Sequence, residues 1–196
     1  MENLQQRSSG TSYNMVTKEI LEKLRFICGE KFVVNDDESC TIYGSDETED
    51  LLFKPEVIVK PSDANEISAI LKLANTHFIP VTPRGAGTGL SGGALPVHGG
   101  IILSTERLNK IIDIDDKNLQ CTVETGVINQ HLRDAVEAKG LFYPPDPASR
   151  GSCFIGGNLA ECSGGPKAVK YGVTKDYVLN CEVVLPTGEI IWTGAN

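Results

Sequence analysis

Pro83-Arg84-Gly85-Ala86-Gly87-Thr88-Gly89-Leu90-Ser91-Gly92-Gly93-Ala94 limits what this chain can become more than any other stretch. Five of its twelve residues are glycine, and the β-type run Ile79-Pro80-Val81-Thr82 precedes it. Glycine lacks a Cβ, so a loop of this composition reaches positive φ and lets another group approach its backbone. Successive N–H groups in such a turn can converge on an anion. A phosphate or pyrophosphate is the natural guest.

The residues after this loop exclude two familiar phosphate-binding motifs. Gly87-Thr88-Gly89-Leu90-Ser91-Gly92 matches G-x-G-x-x-G. In a nicotinamide-binding unit, however, the last glycine of that pattern lies in a helix whose N-terminus holds the pyrophosphate. Here the chain continues Gly92-Gly93-Ala94-Leu95-Pro96-Val97-His98-Gly99-Gly100, which cannot propagate a helix. No Gly-Lys-Ser/Thr occurs, which removes the Walker A loop. The loop is therefore expected to bind phosphate through main-chain amides alone.

The surrounding pattern alternates helix and strand. Residues 1 to 52 read as a polar leader and a helical lead-in that packs on the main domain, residues 53 to 196. Thr17 is expected to cap a helix whose inner face is Ile20, Leu21, Leu24, Ile27 and Cys28, ended by Gly29. Asp36 to Asp50 reads as acidic and turn-rich, with Asp46 to Asp50 a solvated face. Pro55 to Pro61 reads as a strand, Asp63 and Glu66 as a capping-box-like helix start, and Ile79 to Thr82 as the next strand. Gly100 to Ser104 is another strand, and Ile111–Asp115 with Gln120–Glu124 a hairpin. Asn129 is expected to cap a further helix. Tyr177 to Leu185 and Glu189 to Trp192 close the chain as strands around Pro186-Thr187-Gly188.

A second glycine cluster runs from Gly151 to Gly165, with a short helix expected over Ile155 to Cys162. Small residues at its start would let something flat or anionic approach. Arg84 could pair with phosphate or make a structural salt bridge, and Asp146 could be a turn residue between prolines. His98 reads as a surface loop residue and Trp192 as core or interface.

Composition bounds the partners. Net charge is −8, from 18 basic and 26 acidic residues, which argues against a nucleic-acid surface. No apolar run is long enough to span a bilayer and no signal peptide is recognised, so a cytoplasmic protein is expected. Cys28, Cys40, Cys121, Cys153, Cys162 and Cys181 form no C-x-x-C and read as buried free thiols. His77, His98 and His131 are far apart, so no metal site is expected from this chain.

Five stretches together carry a resemblance: Pro83 to Gly93; Pro145-Asp146-Pro147; Ile155-Gly156-Gly157-Asn158-Leu159-Ala160-Glu161; Tyr171-Gly172; and Glu182-Val183-Val184-Leu185-Pro186-Thr187-Gly188. In this order they resemble the FAD-binding domain of the vanillyl-alcohol-oxidase, or PCMH, type, nearest to the FAD subunit of glycolate oxidase and D-lactate dehydrogenases. The resemblance implies an α+β fold of two subdomains with FAD extended between them, here incomplete at the C-terminus. It implies cofactor contacts from Pro83, Arg84, Gly85, Ala86, Gly87, Thr88, Gly89 and Leu90. It adds Pro145, Asp146, Ser149, Ser152, Gly156, Gly157, Asn158, Ala160, Gly164 and Gly172. Thr88 stands near the place where some relatives carry a flavin-linked His, so noncovalent FAD is expected. The implied parent is an FAD-dependent dehydrogenase or oxidase that moves a hydride from the α-carbon of a 2-hydroxy acid to flavin N5. The resemblance also implies an iron–sulfur or electron-transfer flavoprotein partner, with peripheral attachment to the inner membrane through it. A metal, a catalytic base and a substrate cap would belong to a part not in this sequence, so no catalytic residue is assigned. The alternative is a non-catalytic flavin-binding or scaffold subunit of an electron-transfer complex.

Overall fold

Helix α1 (Lys18–Cys28) starts where a capping side chain makes it start: the Thr17 hydroxyl accepts from the Ile20 N–H at 3.4 Å. That contact satisfies one of the donors a helix start leaves open. Ile20, Leu24 and Cys28 form its buried stripe, and the Gly29 N–H closes it on the Arg25 carbonyl. The structure is a computed structural model and describes residues 13–194.

The central sheet holds β1 (Val33–Val34), β2 (Val57–Val59), β3 (Val81–Arg84) and β4 (Ile101–Ser104), in the order β1-β2-β4-β3. β1 is antiparallel to β2, while β2, β4 and β3 run parallel, with Val57 and Val81 both opposite Ile101. Successive strand side chains point to opposite faces. Accordingly Val57, Val59, Ile101 and Leu103 share a core with Ile20, Leu24, Ile70 and Ala74. Ile58 and Ile102 pack on the other face against Cys40. Helix α3 (Ala64–His77) joins β2 to β3; the Asp63 carboxylate caps it by accepting from Asn65 and Glu66 N–H. Glu66 turns back to the Ser62 N–H at 2.7 Å, one residue earlier than the expected box.

A second unit comes after β4. The hairpin of β5 (Ile111–Asp115) and β6 (Gln120–Val123) packs with α4 (Asn129–Glu137) around Val127, Leu132 and Val136. Short helices α5 (Ile155–Ala160) and α6 (Ala168–Tyr171) come next, then the hairpin β7 (Glu182–Val184) and β8 (Ile190–Trp192). That hairpin docks back on α3, where Ser68 Oγ donates to the Gly188 carbonyl and Asn75 Nδ2 to the Pro186 carbonyl. The whole is the expected mixture of helix and sheet.

Several local expectations need correction. The acidic stretch after Asp36 contains a helix, α2 (Asp37–Tyr43), because the Asp36 carboxylate accepts from the Ser39 N–H at 2.8 Å. Within the run expected to be solvated, Asp46 is half-buried with Oδ2 enclosed. Strand β3 begins later than expected, since the Ile79 N–H still serves the exit of α3 by bonding the Ala74 carbonyl. Tyr177 lies in a 3-10 turn, Thr174–Tyr177, held by the Asp176 carboxylate on the Val173 N–H; the strand starts only at Glu182. Ile128, not Asn129, occupies the cap of α4, and the Asn129 side chain is fully buried instead. Only Cys28, Cys40 and Cys153 are buried, although all six thiols are free. Trp192 is 52% exposed and is not part of the core. Lead-in residues 13–52 supply α1 and the edge strand β1 to the same core as the main domain.

Candidate cofactor site

The glycine loop leaves the sheet at the carboxyl end of β3, where Arg84 lies opposite Ser104 of β4. No helix or strand interrupts the chain between Arg84 and Ile101. The dinucleotide-fold alternative is thereby excluded, as the run Gly92 to Gly100 implies. Among the described residues, no N–H from residue 85 to residue 91 donates to a main-chain carbonyl. Residues 85 to 89 are half-buried, and these donors have no partner among the described residues. Buried amides are almost always paired. A run of unpaired ones at a strand end is what an anion site requires.

Arg84 packs under the loop at Gly87. It is 8% exposed; its Nη2 donates to the Ser45 carbonyl at 2.7 Å and its guanidinium lies 5.4 Å from the Tyr43 ring centre. Gly87 has φ 72°, and a Cβ there would overlap Arg84 Nη2. Burial pulls the Arg84 group down from its ordinary value, opposed chiefly by the charge of Asp46. Tyr43 donates its phenol proton to Glu106, which also accepts from Lys60 Nζ at 2.9 Å and Ser104 Oγ at 3.0 Å. Burial pushes the Tyr43 phenol up, with Glu106 adding to it. Burial opposes ionisation of Glu106, yet the bonds from Tyr43, Lys60 and Ser104 hold it below the usual carboxylate range. The proton of this pair therefore stays on the phenol.

The second glycine cluster meets the first. Phe154 lies against Gly85, and Ser91 Oγ is 3.3 Å from both carboxylate oxygens of Glu161. Ile155 and Gly156 N–H are spent on the carbonyls of Val127 and Thr125. Gly156 packs tightly on Thr125, whereas Gly157 and Gly89 border open space within 4 Å of where a Cβ would stand. Asn158 is 2% exposed with Nδ2 unpartnered, and Ala160 is exposed. Thr88 is half-buried at the centre of the first loop, Ala86 likewise, and Pro83 and Leu90 face outward.

The remaining candidates have other neighbours. Pro145 is buried. Asp146, 7% exposed, is an ion-pair hub: Arg133 Nη1 at 2.5 Å, Lys167 Nζ at 3.1 Å and Arg150 Nε at 3.4 Å. Burial works against its ionisation, but Lys167, Arg133 and Arg150 outweigh it and hold the carboxyl below the usual range. The Ser149 carbonyl accepts from the N–H groups of Ser152 and Cys153, and Ser152 is exposed. Gly164 packs on Ala168 and Val173, and Gly172 backs onto Asp176, so both tie down the ends of α6.

Pattern reasoning missed Phe154, Glu161, Tyr43, Ser45 and Glu106. Each meets the site through a partner distant in sequence, and no local motif marks such pairs. Among the described residues, no cluster of three or more His, Cys, Asp or Glu could hold a metal ion. No helix among them is long and apolar enough to cross a membrane.

Residues 55–194 match the family model described as an FAD binding domain. The chain belongs to this family. It is 44% identical over 180 residues to glycolate oxidase subunit GlcD of Bacillus subtilis, covering 92% of this chain and 38% of the relative. It is 42% identical over 190 residues to D-lactate dehydrogenase of Anaerostipes hadrus, covering 93% of this chain and again 38% of the relative. The chain thus spans well under half the length of these two relatives. Among solved structures, p-cresol methylhydroxylase with substrate bound superposes with a TM-score of 0.76 at 26% identity, covering 89% of this chain and 34% of that one. Alkyldihydroxyacetonephosphate synthase superposes at 0.81 with 21% identity, covering 91% and 35%, a likeness of fold alone. The residues present fit the family's cofactor: unpaired amides over residues 85–91 suit a diphosphate, and open space beside Gly89 and Gly157 leaves it room.

Proposed function

We propose that this chain is the FAD-binding portion of a flavin-dependent oxidoreductase acting on 2-hydroxy acids of the glycolate or D-lactate class. The observation that carries this reading is the run of unpaired amides over residues 85–91 in an FAD binding domain family member. The N–H groups of Gly85 to Gly89 and the Thr88 hydroxyl would hold the diphosphate. The edge formed by Gly157, with Pro145 to Ser152 beside it, would border the rest of the cofactor. Bound there, FAD supplies the acceptor for a hydride from the substrate carbon. The chain's own residues bind, orient and partly bury the cofactor; none is assigned to acid–base work. The names of three relatives, glycolate oxidase subunit GlcD, D-lactate dehydrogenase and D-2-hydroxyglutarate dehydrogenase, favour the enzyme over a non-catalytic carrier.

The family resemblance supports the finer points. Residues 53–196 form the cofactor domain and residues 1–52 a lead-in, of which the described residues 13–52 share its core. FAD is held noncovalently, since Thr88 offers no linkage. The protein is cytoplasmic and hands electrons to an iron–sulfur or flavoprotein partner. The test is flavin content. Chain reconstituted with FAD and desalted is expected to absorb at about 450 nm, and mass spectrometry after denaturation is expected to find free, intact FAD. Flavin retained on the denatured polypeptide would overturn noncovalent binding. A different nucleotide, or no bound flavin at all, would overturn the reading itself.

A further inference from the structure

Arg84 is a buried cation with no direct ion pair. Among the described residues, no carboxylate lies within ion-pair distance of its guanidinium; Nη2 meets only the Ser45 carbonyl, and Nη1 is enclosed without a partner. Buried charges are normally paired, because desolvation otherwise penalises them heavily. Its neighbours are the Tyr43 ring, the Ser45 carbonyl and Gly87, with the charges of Asp46 and Glu106 acting on it from beyond ion-pair distance. The main chain of Arg84 is itself clamped, since its carbonyl accepts from the Thr105 N–H at 3.0 Å. The guanidinium therefore stands in a fixed place beneath the loop, filling the space that a Gly87 Cβ would need.

We infer that Arg84 is a positioning residue for the cofactor, seated by Tyr43 and Ser45 of the lead-in. It presets the amides around Gly87 and supplies a positive charge that a bound diphosphate, rather than a protein carboxylate, balances. This deepens the FAD reading above and rests on it. Because Nη1 is enclosed, the residue acts through the loop and its field, not by touching the ligand. Residues 43–46, outside the glycine motifs, thereby become part of the cofactor machinery.

The test uses the full chain with ADP as the probe, read by calorimetry, together with melting temperatures of the ligand-free proteins. Arg84→Met is expected to raise the ADP Kd about tenfold or more, while the ligand-free melting temperature stays level or rises. A purely structural arginine predicts the opposite sign of melting shift. Asp46→Asn removes the carboxylate whose charge acts most strongly on Arg84. It leaves Arg84 less compensated and is expected to tighten ADP binding about twofold, an arm that keeps the arginine itself in place. An unchanged ADP Kd in Arg84→Met, a fall in its ligand-free melting temperature, or unchanged or weaker binding in Asp46→Asn overturns the inference. If the parent chain binds neither ADP nor FAD, the functional reading fails and takes the inference with it. Binding by the parent with an unaltered Arg84→Met overturns the inference alone.

Discussion

Gly87→Val is expected to abolish flavin retention while leaving the secondary structure in place. A valine would need φ 72°, a conformation that β-branched residues rarely adopt. Its Cβ would also overlap Arg84 Nη2, and Arg84 cannot step aside without losing its bond to the Ser45 carbonyl. Both effects move the amides of residues 85 to 89, the groups proposed to meet the diphosphate. A loss of about 3 kcal/mol or more in binding corresponds to at least a hundredfold rise in the FAD Kd. The loop contributes no strand pairing and no helix, so the far-UV circular dichroism should match the parent. Titration with FAD checks the first statement. An unaltered Kd would show that this part of the loop does not face the cofactor.

Asp146→Ala should produce the largest loss of stability. The side chain is buried and serves three cations, of which Arg133 is itself buried. Removing the carboxylate leaves Arg133 enclosed without its main partner and brings three positive groups into mutual repulsion. Breaking a buried pair from one side typically costs about 3–5 kcal/mol, against a usual domain stability of about 5–15 kcal/mol. Urea unfolding of parent and variant measures the difference. Its pH dependence has a definite sign. The folded-state carboxyl lies below its ordinary value, so its contribution is complete above the unfolded value of about 3.9 and declines as pH falls through the folded one. Parent and variant should therefore differ fully at neutral pH and converge only in acid below that value. A gap that closes on the alkaline side would contradict the ion-pair assignment.

The parts of the fold that were legible carry their instructions locally. Thr17 and Asp63 cap the helices after them, and the spacing of Ile70 and Ala74 points the right face of α3 inward. Asp115 shapes the turn between β5 and β6 by accepting from the Lys117 and Asn118 N–H groups. Where a side chain competes with the regular pattern, spacing alone misleads. Asp36 makes a helix out of an expected turn, Asp176 makes a turn out of an expected strand, and Asn129 goes inside rather than to the cap. The first glycine loop is legible because a Gly-rich run with Pro96 behind it cannot be helical. The brace beneath it is not, since Tyr43, Ser45, Arg84 and Glu106 are brought together only by sheet register and the placement of α2. The contact between Ser91 and Glu161 spans two glycine clusters, and nothing in either cluster alone announces it.

Hydrogen–deuterium exchange of the amides in the first loop, with and without FAD, reads the proposed contact where it is made. Those of residues 85–89 have no main-chain acceptor among the described residues and should exchange readily in the free chain. Slowed exchange at residues 85–89 on adding FAD is the predicted result. Exchange there that stays fast in chain that has demonstrably bound FAD would contradict binding of the diphosphate by these amides.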